Sequence, residues 1–245
     1  MIKNYIIHIK ALLRRIWIVG ISNESYIKYL RKHGIRVGRN VHFRNPANNC
    51  IDLNRPALIE LGNNLDINEN FTVLTHDFGT FVFREVYKDF VNCSGKVKIG
   101  NNIVFGRNVT ILKGVTIGDN CIIGAGSIIT HSIPDNSVAV GAPAKVICTL
   151  DEYYKKRKSL QVKEALEYGR ELAAYKGGTD KLEPGDFTEE WVLFLSKEEY
   201  YHDEKVRKHV DFRLKGRVDI DEFLNRERPY PDFESFLTAI KAETK

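Results

Sequence analysis

Every sixth residue between positions 99 and 129 is large and apolar: Ile99, Phe105, Ile111, Ile117, Ile123 and Ile129. An amphipathic helix repeats its apolar stripe about every 3.6 residues and a half-buried strand about every two, so a sustained period of six fits neither. It fits a coil of short strands in which each unit supplies one strand and one corner. Gly100, Gly106, Gly118 and Gly124 follow these positions, and Asn102, Asn108 and Asn120 come shortly after; both residue types accept tight turns. A second row, Ile103, Val109, Val115 and Cys121, continued by Ser127 and Ile133, can face the same interior as the first. Three units would close a triangular turn. Turns stacked at the strand spacing of roughly 4.8 Å would then pair each backbone amide above and below.

The same phase recurs at Val37 and Phe43, then at Leu61, Ile67 and Val73, so the expected fold class is an all-β solenoid starting near Ile35. Asn49 and Arg55 break the phase, and a bulge or outward loop is expected over residues 48–56. A larger interruption follows Val73. The chain leaves the pattern at Thr75-His76-Asp77 and returns at Val97-Lys98-Ile99. So long a loop inside a compact repeat is where function is expected.

The run Ile99-Gly-Asn-Asn-Ile-Val-Phe-Gly, together with Gly124-Ala-Gly-Ser-Ile-Ile-Thr-His-Ser-Ile-Pro-Asp-Asn-Ser-Val-Ala-Val-Gly-Ala-Pro-Ala-Lys-Val-Ile147, resembles the bacterial hexapeptide-repeat acyltransferases. Within them it looks most like the sugar O-acetyltransferases of the maltose, galactoside and capsule-polysaccharide type. The resemblance covers residues 35–147 and is most specific over 96–147. It implies a left-handed parallel β-helix, a handedness that spacing alone does not show. The expected organisation is a basic helical segment at 1–34, the β-helix over 35–149 with an excursion loop at 77–95, and a helical extension over 150–245.

The resemblance also implies a site. Its catalytic histidine stands just before an excursion of this kind, which is the place of His76. Acyl transfer from a thioester to a hydroxyl needs a base to accept the proton as the oxygen attacks, and histidine titrates near neutral pH. The adjacent Asp77 is expected to orient the ring or bind the acceptor. By alignment of the hexads, the backbone N–H of Arg107 falls where relatives stabilise the oxyanion. Val104 stands where the galactoside enzyme carries a Trp, which argues against a simple galactoside substrate. Asn45, Asn48 and Asn49 lie upstream, where relatives use a polar residue against the acceptor, but none matches that position cleanly. The implied donor is acetyl-CoA in a groove between subunits of a homotrimer. Ala125 matches a backbone contact to pantetheine, Thr130 and His131 align with a Thr-Lys pair, and Lys145 aligns with a cation that meets the nucleotide phosphates.

Net charge is +5, and through Arg36 eight Lys or Arg stand against the single Glu24. This segment reads as one or two basic amphipathic helices, which either cover the open end of the solenoid or lie on an anionic membrane surface. Its longest apolar run, residues 16–21, is too short to span a bilayer. No aromatic-basic platform points to nucleic acid. Four cysteines without a Cys-x-x-Cys pair, and no secretory signal, fit a reduced cytoplasmic compartment, at the inner membrane surface if the basic segment binds there. Only His42, His76 and His131 fall in the solenoid, with no close pair, so no metal is expected. Beyond residue 148 the period stops. A helix is expected over 151–176, ended by Gly177-Gly178, and another after Asp186-Phe-Thr-Glu189 through residues 191–195. Arg228-Pro-Tyr-Pro231 is a break before a short helix over 233–241.

The expected function is an acetyl-CoA-dependent O-acetyltransferase acting on a carbohydrate in cell-surface polysaccharide synthesis. An N-acyltransferase of a nucleotide-linked amino sugar, an antibiotic-inactivating acetyltransferase and a non-catalytic scaffold are the alternatives.

Overall fold

In the computed structural model, which describes residues 22–242, the hexad region is a succession of short strands, each ending where a corner turns the chain. Strands β1 (Arg36–Val37), β4 (Ile59–Leu61), β7 (Val97–Ile99) and β10 (Thr116–Ile117) stack in parallel as one sheet. A second holds β2 (Val41–Phe43), β5 (Leu65–Ile67), β8 (Ile103–Phe105), β11 (Ile122–Ile123) and β13 (Ser137–Gly141). The third holds β3 (Cys50–Ile51), β6 (Thr72–Val73), β9 (Thr110–Ile111) and β12 (Ile128–Ile129). Successive strands enter different sheets, so the chain winds round three sides. The registers place Val37, Leu61, Ile99 and Ile117 in one column, Phe43, Ile67, Phe105 and Ile123 in the next, and Ile51, Val73, Ile111 and Ile129 in the third. Both apolar rows meet in one core, and Cys121 is buried in it as expected.

The corners hold the coils in register. Asn40, Asn64, Asn102, Asn120 and Asn136 all adopt left-handed backbone conformations, with φ of 55–58°. Each side-chain amide donates to the next one along at 2.8–2.9 Å. Beside this ladder, Asn63, Asn101, Asp119 and Asp135 each accept a backbone N–H from the preceding coil at 2.7–2.8 Å. Stacking here is so close that a Cβ at Gly62 would overlap the Gly100 carbonyl.

Coil length varies around a fixed corner. Ladder partners are 18 residues apart in Asn102–Asn120 but 24 in Asn40–Asn64 and 38 in Asn64–Asn102. The 24-residue coil differs from the single bulge expected over 48–56. Two 3-10 turns, Pro46–Asn48 and Pro56–Leu58, flank β3, so that Ile51 and not Asn49 pairs with Val73. Proline at the start of each turn fixes φ and removes the N–H a ladder would need. The 38-residue coil carries the excursion, which contains α2 (Thr80–Tyr87), a helix with no buried side chain.

Each end of the coil is partly covered. Helix α1 (Asn23–Lys32) buries Tyr26 and Leu30 on the first coil. The side chain of Asn23 donates to Val41 O at 3.0 Å and accepts from Phe43 N at 2.8 Å, while Arg31 donates to the Val37 and Gly38 carbonyls. These bonds satisfy edge groups that the next coil would have paired. Thus residues 22–36 act as an end cover, and the rest of the expected basic segment, residues 1–21, lies outside the described residues. At the other end β14 (Ala144–Thr149) folds back antiparallel on β13. Among the described residues no helix is long and apolar enough to cross a membrane.

The chain divides between Tyr154 and Lys155 into two units. The second has its own core, to which α3 (Leu150–Lys176) contributes Ala165, Leu166 and Ala173 and α7 (Phe233–Ala242) contributes Phe233, Phe236, Leu237 and Ile240. Gly177 follows α3 with φ +81°, the expected stop. The helix expected over 191–195 does not form. Asp186 turns back to accept from Glu183 N and pairs with Lys176 at 2.6 Å, giving 3-10 turns at Pro184–Asp186 and Glu190–Leu193. Trp191, Leu193, Phe194 and Leu195 are all buried, which no single helical face would allow. Helices α4 (Lys197–His202), α5 (Glu204–Leu214) and α6 (Ile220–Leu224) follow, capped by Ser196, Asp203 and Asp219.

Asn102→Ala should lower stability by about 2–3 kcal/mol, roughly 1 for the ladder bond and the rest for an alanine forced into the left-handed region. Asn102→Gly, which accepts that conformation, should lose only about 1 kcal/mol. Urea unfolding followed by circular dichroism measures both; equal losses would show that backbone strain is not what the asparagine relieves.

Candidate active site

Strand β6 ends at Val73, and the chain then leaves the third sheet. Leu74 N still donates to Ile111 O at 2.9 Å, and Gly95 N donates to Thr75 O at 2.9 Å, so the two ends of the excursion are tied together at its base. His76 is the first residue outside that tie.

The His76 ring is held from the coil before it. Its Nδ1 lies 2.7 Å from Asp52 Oδ2, and the two side chains are only 12% and 3% exposed. The same oxygen accepts from the Thr75 amide at 3.1 Å and from the Thr75 hydroxyl, while Oδ1 accepts from Asn54 N at 2.9 Å. Burial alone would push the Asp52 carboxyl up. The Thr75 hydroxyl, the Asn54 and Thr75 amides and the His76 ring outweigh it and bring the value down from 3.8 to about 2. An ionised carboxylate can only accept, so Nδ1 carries a proton, and the tautomer this selects has its lone pair on Nε2. This arrangement can take a proton from a hydroxyl and stabilise the resulting imidazolium.

Asp52 was not among the sequence candidates. It lies on the coil before His76: Ile51 pairs with Val73, so Asp52 stands level with Leu74 and its carboxylate reaches His76 two residues further along. That register is readable only once the extra residues of the first coil are counted.

Asp77 does not orient the ring. Its carboxylate pairs with Lys113 and accepts from Gly79 N at 3.0 Å, and its own N–H donates to Cys93 Sγ at 3.3 Å. The Cys93 thiol first, then Lys113 and the Gly79 amide, hold this carboxyl well below the usual range. Phe78 sets its ring edge-on to His76, with centroids 5.3 Å apart. Asn49 is structural: its side chain accepts from Phe71 N at 2.8 Å and donates to Asn45 O at 3.1 Å.

The remaining candidates are not gathered around His76 in this chain. Arg107 lies in the corner that leads into β9, whereas His76 lies beyond the end of β6, and β6 and β9 run parallel in register. The two residues therefore occupy opposite edges of the third sheet. The Arg107 side chain pairs with Glu69, and no acceptor among the described residues meets its backbone N–H. Ala125 is exposed in the corner between β11 and β12, against Gly106. Thr130 Oγ1 and His131 Nδ1 lie 2.8 Å apart just past β12, and Lys145 is exposed on β14. Val104 is exposed on the outer face of β8. Within the second unit a cavity of about 400 Å³ is lined by Phe187, Trp191, Phe194 and His209, among others, and takes none of the predicted site residues. Among the described residues no three His, Cys, Asp or Glu side chains converge as metal ligands.

Residues 96–131 of this hexad-built coil match the family model described as Bacterial transferase hexapeptide (six repeats), which places the chain in a class of group-transfer proteins. Putative acetyltransferase YvoF of Bacillus subtilis (strain 168) is 31% identical over 157 residues, covering 64% of this chain and 82% of that protein. Galactoside O-acetyltransferase of Escherichia coli (strain K12) is 39% identical over 118 residues, 48% of this chain and 55% of the relative. The crystal structure of a maltose O-acetyltransferase from Clostridium difficile 630 aligns over 55% of this chain and 81% of that one, at 26% identity and a TM-score of 0.39. The chain belongs to the bacterial hexapeptide-repeat transferase family. Within it the protein is an enzyme of the acetyltransferase class.

Because Asp52 has a lower value folded than unfolded, its ionised form stabilises the fold above about pH 4, and that contribution of about 2 kcal/mol is lost as pH falls towards 2. The stability gap between the parent and Asp52→Asn should therefore narrow by about 2 kcal/mol between about pH 5 and about pH 2. Urea unfolding at the two pH values measures it, and a constant gap would show that the fold does not lower the Asp52 value.

Proposed function

We propose that this enzyme transfers an acetyl group from acetyl-CoA to a carbohydrate hydroxyl, in cell-surface polysaccharide synthesis. The observation that carries the reading is His76, with Nδ1 committed to Asp52 and Nε2 left to accept a proton at the mouth of the excursion. The named activities of relatives, galactoside O-acetyltransferase and maltose O-acetyltransferase, support a carbohydrate acceptor.

The proposed transfer is direct. His76 Nε2 takes the hydroxyl proton as the acceptor oxygen attacks the thioester carbonyl carbon. Negative charge gathers on the carbonyl oxygen and is met by the Arg107 backbone N–H, while Asp52 offsets the charge of the imidazolium. Collapse breaks the C–S bond, and the proton on His76 passes to the departing sulfur. No acyl-enzyme forms. Arg107 and His76 lie at opposite edges of one sheet, which supports a donor amide supplied by a second copy in a homotrimer. In this arrangement Ala125 lines the pantetheine arm, Thr130 and His131 flank it, Lys145 meets the nucleotide phosphates, and Asp77 faces the acceptor. In this reading the coil is left-handed and the enzyme works in the cytoplasm, with residues 22–36 covering the first coil.

His76→Ala should lower turnover by roughly 100-fold or more, with the acetyl-CoA dissociation constant unchanged. Turnover equal to the parent's would remove His76 from the mechanism. Calorimetric titration with acetyl-CoA should give saturable binding, weakened several-fold by Lys145→Ala. Absence of binding at millimolar ligand in a folded, assembled protein would favour a scaffold.

A further inference from the structure

Phe78 is 75% exposed, yet its backbone has no slack. On one side Asp77 is fixed by Cys93 through its amide and by Lys113 through its carboxylate. On the other side Gly79 N is tied to Asp77 Oδ1 at 3.0 Å. The Phe78 carbonyl itself accepts from Phe81 N at 2.9 Å as α2 begins. The ring stands edge-on to the imidazole, with centroids 5.3 Å apart and planes at 65°. The result is an apolar ring left in water, on a backbone tied at both neighbours and beside the proposed base, where it offers a wall to an acceptor that reaches His76. The Asp77–Lys113 pair, itself substantially exposed, gives that wall a polar rim.

A pyranose matches such a wall. Its axial C–H bonds make one face apolar and slightly positive, suited to the negative face of an aromatic ring, and its equatorial hydroxyls point outward to a polar rim. A small acyclic hydroxy compound has no such face. We infer that Phe78 reads the acceptor: its ring takes the C–H face of a pyranoside and so aims a hydroxyl at His76 Nε2. The inference rests on the acetyl-transfer reading and adds to it a residue that selects the substrate class.

Saturation-transfer NMR with methyl β-glucopyranoside and methyl β-galactopyranoside, on the full chain bound to CoA, tests it. Transfer should be strongest at the axial ring protons of at least one glycoside. Phe78→Ala should weaken that glycoside's binding roughly tenfold, with acetyl-CoA affinity and the mass by light scattering unchanged, and Phe78→Trp should restore it. Binding by Phe78→Ala equal to the parent's, a changed mass, or no transfer to either glycoside in a protein that binds CoA would each overturn the inference. Failure of the parent to bind acetyl-CoA would instead bring down the acetyl-transfer reading itself.

Discussion

The structure depends on a backbone conformation that L-residues ordinarily avoid. At one corner of every coil an asparagine sits at positive φ, and its side chain bonds to the asparagine of the next coil. The left-handed turn lets a strand of two or three residues end abruptly, and the ladder sets where the next coil must begin. Parallel strands this short have little pairing of their own, so register comes from the corners and from the columns of Ile, Val, Leu and Phe that the register brings together. Changing the corner would disturb every level above and below it.

The same stacking fixes the chemistry. Asp52 and His76 meet because Ile51 stacks on Val73, which sets Asp52 beside the chain as it leaves β6, and Thr75, fully buried, commits both its amide and its hydroxyl to the carboxylate. A base held in this way loses little on reaching the geometry of proton transfer, since its ring is oriented before any acceptor arrives. Beyond His76 the hexad rules cease to apply. The exposed residues Phe78, Phe81, Val86 and Phe90 belong to the excursion and not to the repeat.

Much of the fold was legible because inward positions of the coil must be apolar, and a six-residue period in Ile, Val and Phe leaves few alternatives. His76 was legible because it stands where that period stops. Asp52 was not, since a carboxylate next to an irregular coil looks like a surface residue until the two 3-10 turns at Pro46–Asn48 and Pro56–Leu58 are counted into the coil length. In the second unit the helix ending at Lys176 announced itself through Gly177, with its left-handed φ. The run from Trp191 to Leu195 misled because the capping-box spacing at Asp186–Glu189 opens no helix: Asp186 turns back to Glu183 N and Lys176 instead. Backbone donors such as the Arg107 amide leave no mark on sequence at all.

The unequal coils, with ladder steps of 24, 38, 18 and 16 residues between identical corners, bear on descent as well as on folding. Chain can be gained or lost between two ladder asparagines without moving either of them. Insertions and deletions in the excursion can therefore accumulate over generations while the coil and its anchored imidazole stay as they are. Lineages built on such a frame can diverge in what they recognise much faster than in the step they catalyse.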